Sequence, residues 1–530
     1  MSDNHKEALI PYGQPGSDAG KCILFPMGIK GHLFQINAFR QEFKIPVVGV
    51  TLLQQYDLLL EEYPEHKPDR VYSFPQYYLR NIGNAERLSN DEVRSKIKKH
   101  EKKWNIPSSA TWFYMDRYNR METNYNVAIR NILLYLDFVQ ILLSRETPLW
   151  IKSNKTTFFG LVLQQACLSM NIPCLKPSSS RLSGRIEFSD EVVNGGLRGW
   201  KKVYSDLHND PNAVSQETRK SAEEWLDNFL KKPERPKYAI QNSVVDFDIR
   251  RIMLNFWRGI APKFTKSYWD EIVKCPVDRK LHNRAHFGHA FFKDFLHREI
   301  RNVFYHYAKW YKTKPDMSEP YIYLPLQYSP EMSTLTYGLL FEDQKVFVEN
   351  LAKYIPSCYR IYVKEHTSMM GRRPPLFYKE LAAYHNVTVI GPQVNTFDLI
   401  RNAKAIATIS STVGWEAFLM GKPVLAFGDV SYNEFPNVLH LDINKDMTSK
   451  IQKYIETFIP EKESIKLAVI AYFSVTYPVT TGDIGVEISA EQANSNAEKL
   501  AKSFHDQLNR FPLCSSNSNS VNPKLLHEGT

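Results

Sequence analysis

The sequence predicts an α/β fold of two domains, and three observations carry that expectation. Five apolar segments alternate with helix-length stretches: Tyr321 to Gln327, Arg360 to His366, Val387 to Gly391, Ala405 to Ser410 and Pro423 to Gly428. Such alternation implies a parallel sheet covered by helices on both faces. A second set opens near the N-terminus, where the strand pattern KCILFPM (Lys21 to Met27) leads into the glycine turn GIKGH, a helix and the strand pattern IPVVGVTL from Ile45. Finally, 530 residues with 43% hydrophobic content suffice for two cores of ordinary size.

The elements follow in order. Residues 1–20 read as a flexible polar leader, and 21–190 as a first Rossmann-like domain. Within it, helical patterns run from about Asp91 to Arg145. They are followed by the strand pattern PLWIKSN from Pro148, a helix through Ala166 and the strand pattern IPCLKPSS from Ile172. Residues 191–315 read as a helical bridge, basic and aromatic in its second half. The stretch from Arg250 to Lys314 holds fifteen Lys or Arg against five acids. Residues 316–445 form the second Rossmann-like domain, 446–514 C-terminal helices, and 515–530, rich in Ser and Asn, a disordered tail.

Composition narrows the function classes. The net charge of +10 and pI near 9.0 favour an anionic partner. The dispersed basic residues and the absence of a recognition motif argue against nucleic acid. The N-terminus lacks a positive region followed by an apolar stretch, and no run is expected to approach the roughly 18 apolar residues of a membrane-spanning helix. A cytoplasmic protein is therefore expected. Six cysteines without a CxxC pair imply reduced, buried thiols, with neither disulfide nor zinc.

The most informative stretch is SSTVGWEAFLMGKPVLAFG, Ser410 to Gly428. It reads as the end of a buried strand, a hydroxyl-rich turn, a short helix stopped by Gly421 and another buried strand. Ser410, Ser411 and Thr412 stand where a helix offers free amides and the positive end of its dipole, so a phosphate is the natural guest. Helix capping alone would also select these residues. Glu416, one turn on, suits ribose hydroxyls or the helix dipole. On the same predicted rim, Lys364 supplies charge, His366 is a candidate phosphate donor or leaving-group acid, and Glu331 is a candidate general base. In the first domain, Gly28 and Gly31 would let backbone approach a ligand, and His32 would open a helix facing the other domain. Two weaker patterns are Asp246 with Asp248, resembling a metal-holding DxD, and His282, His286 and His289 on one helix face. Neither has the context of a metal site, and none is expected.

From Tyr321 to His440 the chain resembles the capsule polysaccharide biosynthesis family, which includes bacterial capsular Kdo transferases. The matching segments are YIYLPLQYSPEMST, YRIYVKEH and FDLIRNAKAIATISSTVGWEAFLMGKPVLAFG, with Tyr432 downstream. A weaker likeness covers SSRLSGRIEFSD, which contributes Arg185 as a cleft or acceptor residue. The resemblance implies a GT-B-like fold, two Rossmann-like lobes facing across a cleft, with a CMP-activated donor held by the C-terminal lobe. Ser410 and Ser411 match the Ser-Ser motif of related CMP-sugar transferases. His366 matches the histidine of their His-Pro motif, although Thr367 stands in place of the proline.

The sequence thus leads to a metal-independent glycosyltransferase with no bound cofactor, moving a Kdo-like sugar from CMP to a lipid-linked or glycan acceptor. Its partners would be the nucleotide sugar, that acceptor and an anionic membrane surface reached as a peripheral protein. The alternatives are a CDP-polyol phosphate transferase and a non-catalytic nucleotide-binding component of a capsule assembly complex.

Overall fold

The computed structural model describes residues 21–27, 31–153, 157–192, 195–234, 311–312, 314–374, 376–480 and 489–511, together with Arg250, Met253, Trp257, Cys275, Val277, Asp278 and Arg301. The protein contains two six-stranded sheets. The N-terminal sheet comprises β1 (Lys21–Met27), β2 (Val47–Thr51), β3 (Arg70–Ser73), β4 (Thr147–Lys152), β5 (Cys174–Ser179) and β6 (Ile186–Ser189), in the spatial order β3-β2-β1-β4-β5-β6. Its strands are parallel except for the antiparallel β5–β6 pair. The C-terminal sheet comprises β7 (Tyr321–Pro325), β8 (Arg360–Lys364), β9 (Val387–Ile390), β10 (Ala405–Thr408), β11 (Val424–Ala426) and β12 (Val438–His440). It is parallel throughout and ordered β12-β11-β10-β7-β8-β9.

Both sheets reverse their winding at the first strand, so each has a switch point, between β1 and β4 and between β7 and β10. Each lobe is therefore a Rossmann-like, doubly wound sheet, as the sequence led one to expect. The five C-terminal strands read from sequence are all present. Their residues are buried almost without exception, as strands covered on both faces require. Strands β3, β6 and β12 were not anticipated, because four, four and three residues are too few to establish a period.

One expectation is overturned. The Tyr125–Arg145 helix, 21 residues long, is apolar enough by length and composition to cross a membrane. It packs instead within the N-terminal core: Leu136, Phe138, Val139 and Leu142 are fully buried, and Tyr135 stacks on Phe74 at 4.0 Å. A helix apolar on most of its circumference is what the centre of a large core demands.

Chain segments outside the sheets join the lobes. The Trp200–Asn209 and Gln216–Lys231 helices pack beside the Lys462–Val475 helix on the C-terminal core, where Trp200 Nε1 donates to the Ala468 carbonyl at 3.1 Å. The Ala490–Arg510 helix returns to the N-terminal lobe. Its Phe504 meets Phe39, Trp150 and Phe188 at ring separations of 5.0, 5.3 and 4.8 Å. The five described cysteines are free thiols; four are buried, whereas Cys358 is exposed, contrary to expectation. Burial, reinforced by the nearby Glu146 charge, pushes the Cys22 thiol up to about 12, which leaves it unreactive.

Candidate functional site

Ligands of open parallel sheets collect beyond the carboxyl ends of strands at the switch point. In the C-terminal lobe the loops leaving β7, β8 and β10 meet there. Ser410 Oγ lies 2.9 Å from the Gln327 amide oxygen and 2.8 Å from the Ser333 carbonyl. A single hydroxyl hydrogen cannot serve both acceptors. The site is best satisfied with the Gln327 amide turned, so that its NH2 donates to Ser410 and Ser410 donates to Ser333. The Gln327 backbone is held too, its N–H by Gln344 Oε1 at 2.6 Å and its carbonyl by Gln344 Nε2 at 3.0 Å.

The Thr412–Leu419 helix begins at this point. Ser411 caps it, accepting from the Val413 amide at 3.1 Å, while its own N–H donates to Thr408 Oγ1 at 3.0 Å. Ser411 and Thr412 remain partly exposed at the helix entrance. Glu416, by contrast, is only 3% exposed and lies inside the lobe. The neighbouring Tyr432 hydroxyl is pushed up to about 12, chiefly by burial, with the Glu416 charge contributing.

On the adjacent loop, His366 Nδ1 accepts from the Ser368 amide at 3.2 Å. The neutral ring therefore carries its proton on Nε2. Tyr328 meets this ring edge-on at 6.1 Å, and the exposed Arg372 places its guanidinium 5.6 Å from the Tyr328 ring. Arg372 was passed over in the sequence, although the adjacent pair Arg372-Arg373 beside Gly371 was a visible signal. Lys364 ends β8 as expected, but its buried ammonium donates to the Val394 carbonyl and to Thr396 Oγ1, toward β9. The structure therefore places Ser410, Ser411 and Thr412 at the helix entrance and His366 on the adjacent loop after β8, and turns the Lys364 charge inward.

Two carboxylates compete for notice. Glu331 is exposed on the loop after β7, where it accepts from Ser333 Oγ at 3.3 Å. Glu187, missed in the sequence, lies between the lobes. Its Oε2 accepts from the Tyr472 hydroxyl at 2.5 Å, the same hydroxyl that accepts from the Arg181 amide at 2.8 Å. The Arg181 guanidinium extends to 5.7 Å from the Tyr432 ring, and Lys176 Nζ sits 3.1 Å from Met332 Sδ. Burial raises the Glu187 carboxyl, opposed by Arg181, Tyr472 and Lys176. The Glu187 side chain keeps partial exposure to solvent.

The N-terminal predictions are placed differently from expectation. Gly28 lies outside the described residues, and Gly31 opens the Gly31–Phe43 helix. His32 is 7% exposed rather than facing the other lobe, with Nε2 3.0 Å from Lys152 Nζ. Burial, then the Lys152 charge, holds its imidazole well below the ordinary value, so the ring is neutral. Arg185 is half-buried and turned toward the C-terminal helices. It ties the β5–β6 hairpin to the C-terminal helices, donating to Thr476 Oγ1 at 2.9 Å, to the Phe473 carbonyl at 3.0 Å and to the Thr476 carbonyl. Asp246, Asp248, His282, His286, His289 and nearly all of the basic aromatic stretch lie outside the described residues. Among the described residues, no group of three or more His, Cys, Asp or Glu is placed to hold a metal ion.

Part of this lobe is similar to known proteins. Residues 284–436 match the family model for capsule polysaccharide biosynthesis protein. Protein FixF of Sinorhizobium fredii is 32% identical over 128 residues, 23% of this chain and 29% of FixF. The capsule polysaccharide modification protein LipA of Neisseria meningitidis serogroup B is 31% identical over 68 residues, 13% of this chain and 10% of LipA. The chain thus spans less than a third of these curated relatives. Among solved structures, the β-Kdo 2,4 transferase of Thermosulfurimonas dismutans KpsC aligns over 67% of this chain and 88% of its own, at 15% identity and a TM-score of 0.33. The matched residues include Gln327, His366, Ser410 and Ser411, which lie on the loops leaving β7, β8 and β10, and in this stretch the chain is similar to the capsule polysaccharide biosynthesis family.

Proposed function

We propose that the protein is a glycosyltransferase of capsule or surface polysaccharide synthesis that moves a Kdo-like acidic sugar from a CMP-activated donor to a lipid-linked or glycan acceptor. The observation that supports this reading is the helix entrance at Ser411 and Thr412, set at the switch point, with His366 on the adjacent loop after β8. Helix amides and the Thr412 hydroxyl would hold the donor phosphate, each charge-assisted hydrogen bond contributing on the order of 1.5–3 kcal/mol. His366, with its proton on Nε2, would donate to the departing phosphate as the glycosyl C–O bond breaks. An acceptor hydroxyl would attack the anomeric carbon and pass its proton to a carboxylate, with Glu187 and Glu331 as the candidates. The enzyme would need no metal, and activity should persist in EDTA.

Titration with CMP, followed by mass spectrometry of an acceptor incubated with CMP-Kdo, tests the reading. An added Kdo mass supports it. A polyol phosphate transferred from a CDP donor would move the protein to that reaction, and tight CMP binding without turnover would mark a non-catalytic component. A lipid-linked acceptor also implies work at the inner face of the plasma membrane, with the basic aromatic stretch from Arg250 to Lys314 as the contact. Flotation with anionic but not neutral vesicles would support that location.

A further inference from the structure

Behind the rim lies an ion pair that neither the sequence reading nor the family match singles out. Glu365 follows β8, and its side chain is 0% exposed. Its Oε1 accepts from the His366 amide at 2.8 Å and from Arg373 Nη2 at 3.2 Å. Its Oε2 accepts from Arg373 Nε at 2.8 Å and from the Tyr378 hydroxyl at 2.9 Å. A carboxylate offers about four lone-pair directions, and all are occupied. Arg373, itself buried, also donates to the Gln327 carbonyl at 2.9 Å.

Removing two charges from water costs more than their attraction returns unless every remaining hydrogen-bonding site is satisfied, and an apolar pair of similar volume stabilises a core as well or better. Stability alone therefore gives little reason for this pair. Its connections supply one. Glu365 grips the backbone at His366, Arg373 grips the loop after β7 at Gln327, and the Gln327 side chain reaches Ser410 on the loop after β10. One buried pair thus links the three loops that converge on the switch point.

We infer that Glu365 and Arg373 are positioning residues, a strut that holds the His366 ring and the Gln327–Ser410 contact in the geometry that receives the donor. The inference rests on the proposed function for the identity of the ligand but not for the geometry. A fixed loop lets His366 keep the hydrogen bond from the Ser368 amide, and with it the Nε2–H form of the ring. Without the strut, the 365–369 turn would sample other arrangements and the ring would exchange between tautomers.

The test is the double substitution Glu365→Leu/Arg373→Met in the full chain, read three ways: thermal unfolding, CMP affinity, and ring nitrogen signals in histidine-labelled protein with His366 assigned by His366→Gln. The expected result is a melting point close to that of the parent, CMP affinity at least tenfold weaker, and His366 signals averaged between tautomers. A folded double variant with unchanged His366 signals would overturn the inference. Should the double variant not fold, Tyr378→Phe and Arg373→Lys, which keep the charges, serve instead. Partial averaging of the His366 signals in them supports the strut, and an unchanged ring overturns it. If the parent binds no CMP, the donor assignment fails, and the ring signals alone decide the role of Glu365 and Arg373.

Discussion

The Tyr432 hydroxyl donates to the Ser411 carbonyl at 2.6 Å, pinning the residue that caps the Thr412–Leu419 helix to the loop beyond β11. The same hydroxyl explains Gly414, where an added Cβ would stand 2.5 Å from it. Tyr432→Phe should lower unfolding stability by about 0.5–1.5 kcal/mol, the worth of one hydrogen bond. Gly414→Ala should cost about 1–3 kcal/mol as an overpacked contact. Denaturant unfolding checks both, and a neutral Gly414→Ala would show that the helix entrance tolerates displacement.

Ser411→Ala removes a helix cap as well as a proposed ligand contact. The cap should cost about 1 kcal/mol of stability. Loss of a charge-assisted contact should weaken CMP binding by roughly ten- to a hundredfold. Glu416→Ala, at the candidate ribose contact, is expected to weaken binding too. Calorimetric titration separates the two effects. Unchanged affinity in both variants would displace the nucleotide from this helix.

His366→Ala should reduce turnover by roughly a hundredfold or more, in line with removal of a general acid, while thermal stability changes little. The ring is partly exposed and its described hydrogen bond closes a local turn, so few core contacts are lost. Equal losses in activity and melting temperature would assign His366 a structural role instead.

The buried His32 makes a pH prediction whose sign is determined. Its folded-state pKa lies below the unfolded value near 6.5, so the unfolded chain binds a proton that the folded chain refuses. The stability is fully present above pH 6.5 and declines as pH falls through that value, by about 1.4 kcal/mol per pH unit from this group. Urea unfolding at pH 7.5 and 5.5 measures it. His32→Gln, which cannot take up the proton, should flatten that part of the slope.

The sequence by itself determined the C-terminal sheet, because five runs of buried apolar residues separated by helix lengths have few other solutions. It also determined the position of the helix entrance, since Ser410 to Thr412 after an apolar strand and before a helix stopped by Gly421 is a local pattern. The family resemblance carried the rest of the lobe pairing. Side-chain direction was not legible. Lys364 and Arg185 stood in plausible places, yet their partners, Val394 and Thr396 in one case and Phe473 and Thr476 in the other, lie 30 to 291 residues away. The same holds for Glu187, whose bond to Tyr472 spans 285 residues, and for Tyr125–Arg145, whose membrane-like composition acquires its meaning only from the core around it. Local periodicity reports which face of an element is apolar. Which charge meets which acceptor is decided when distant segments pack, because a buried ionic group must find its partners wherever the fold brings them.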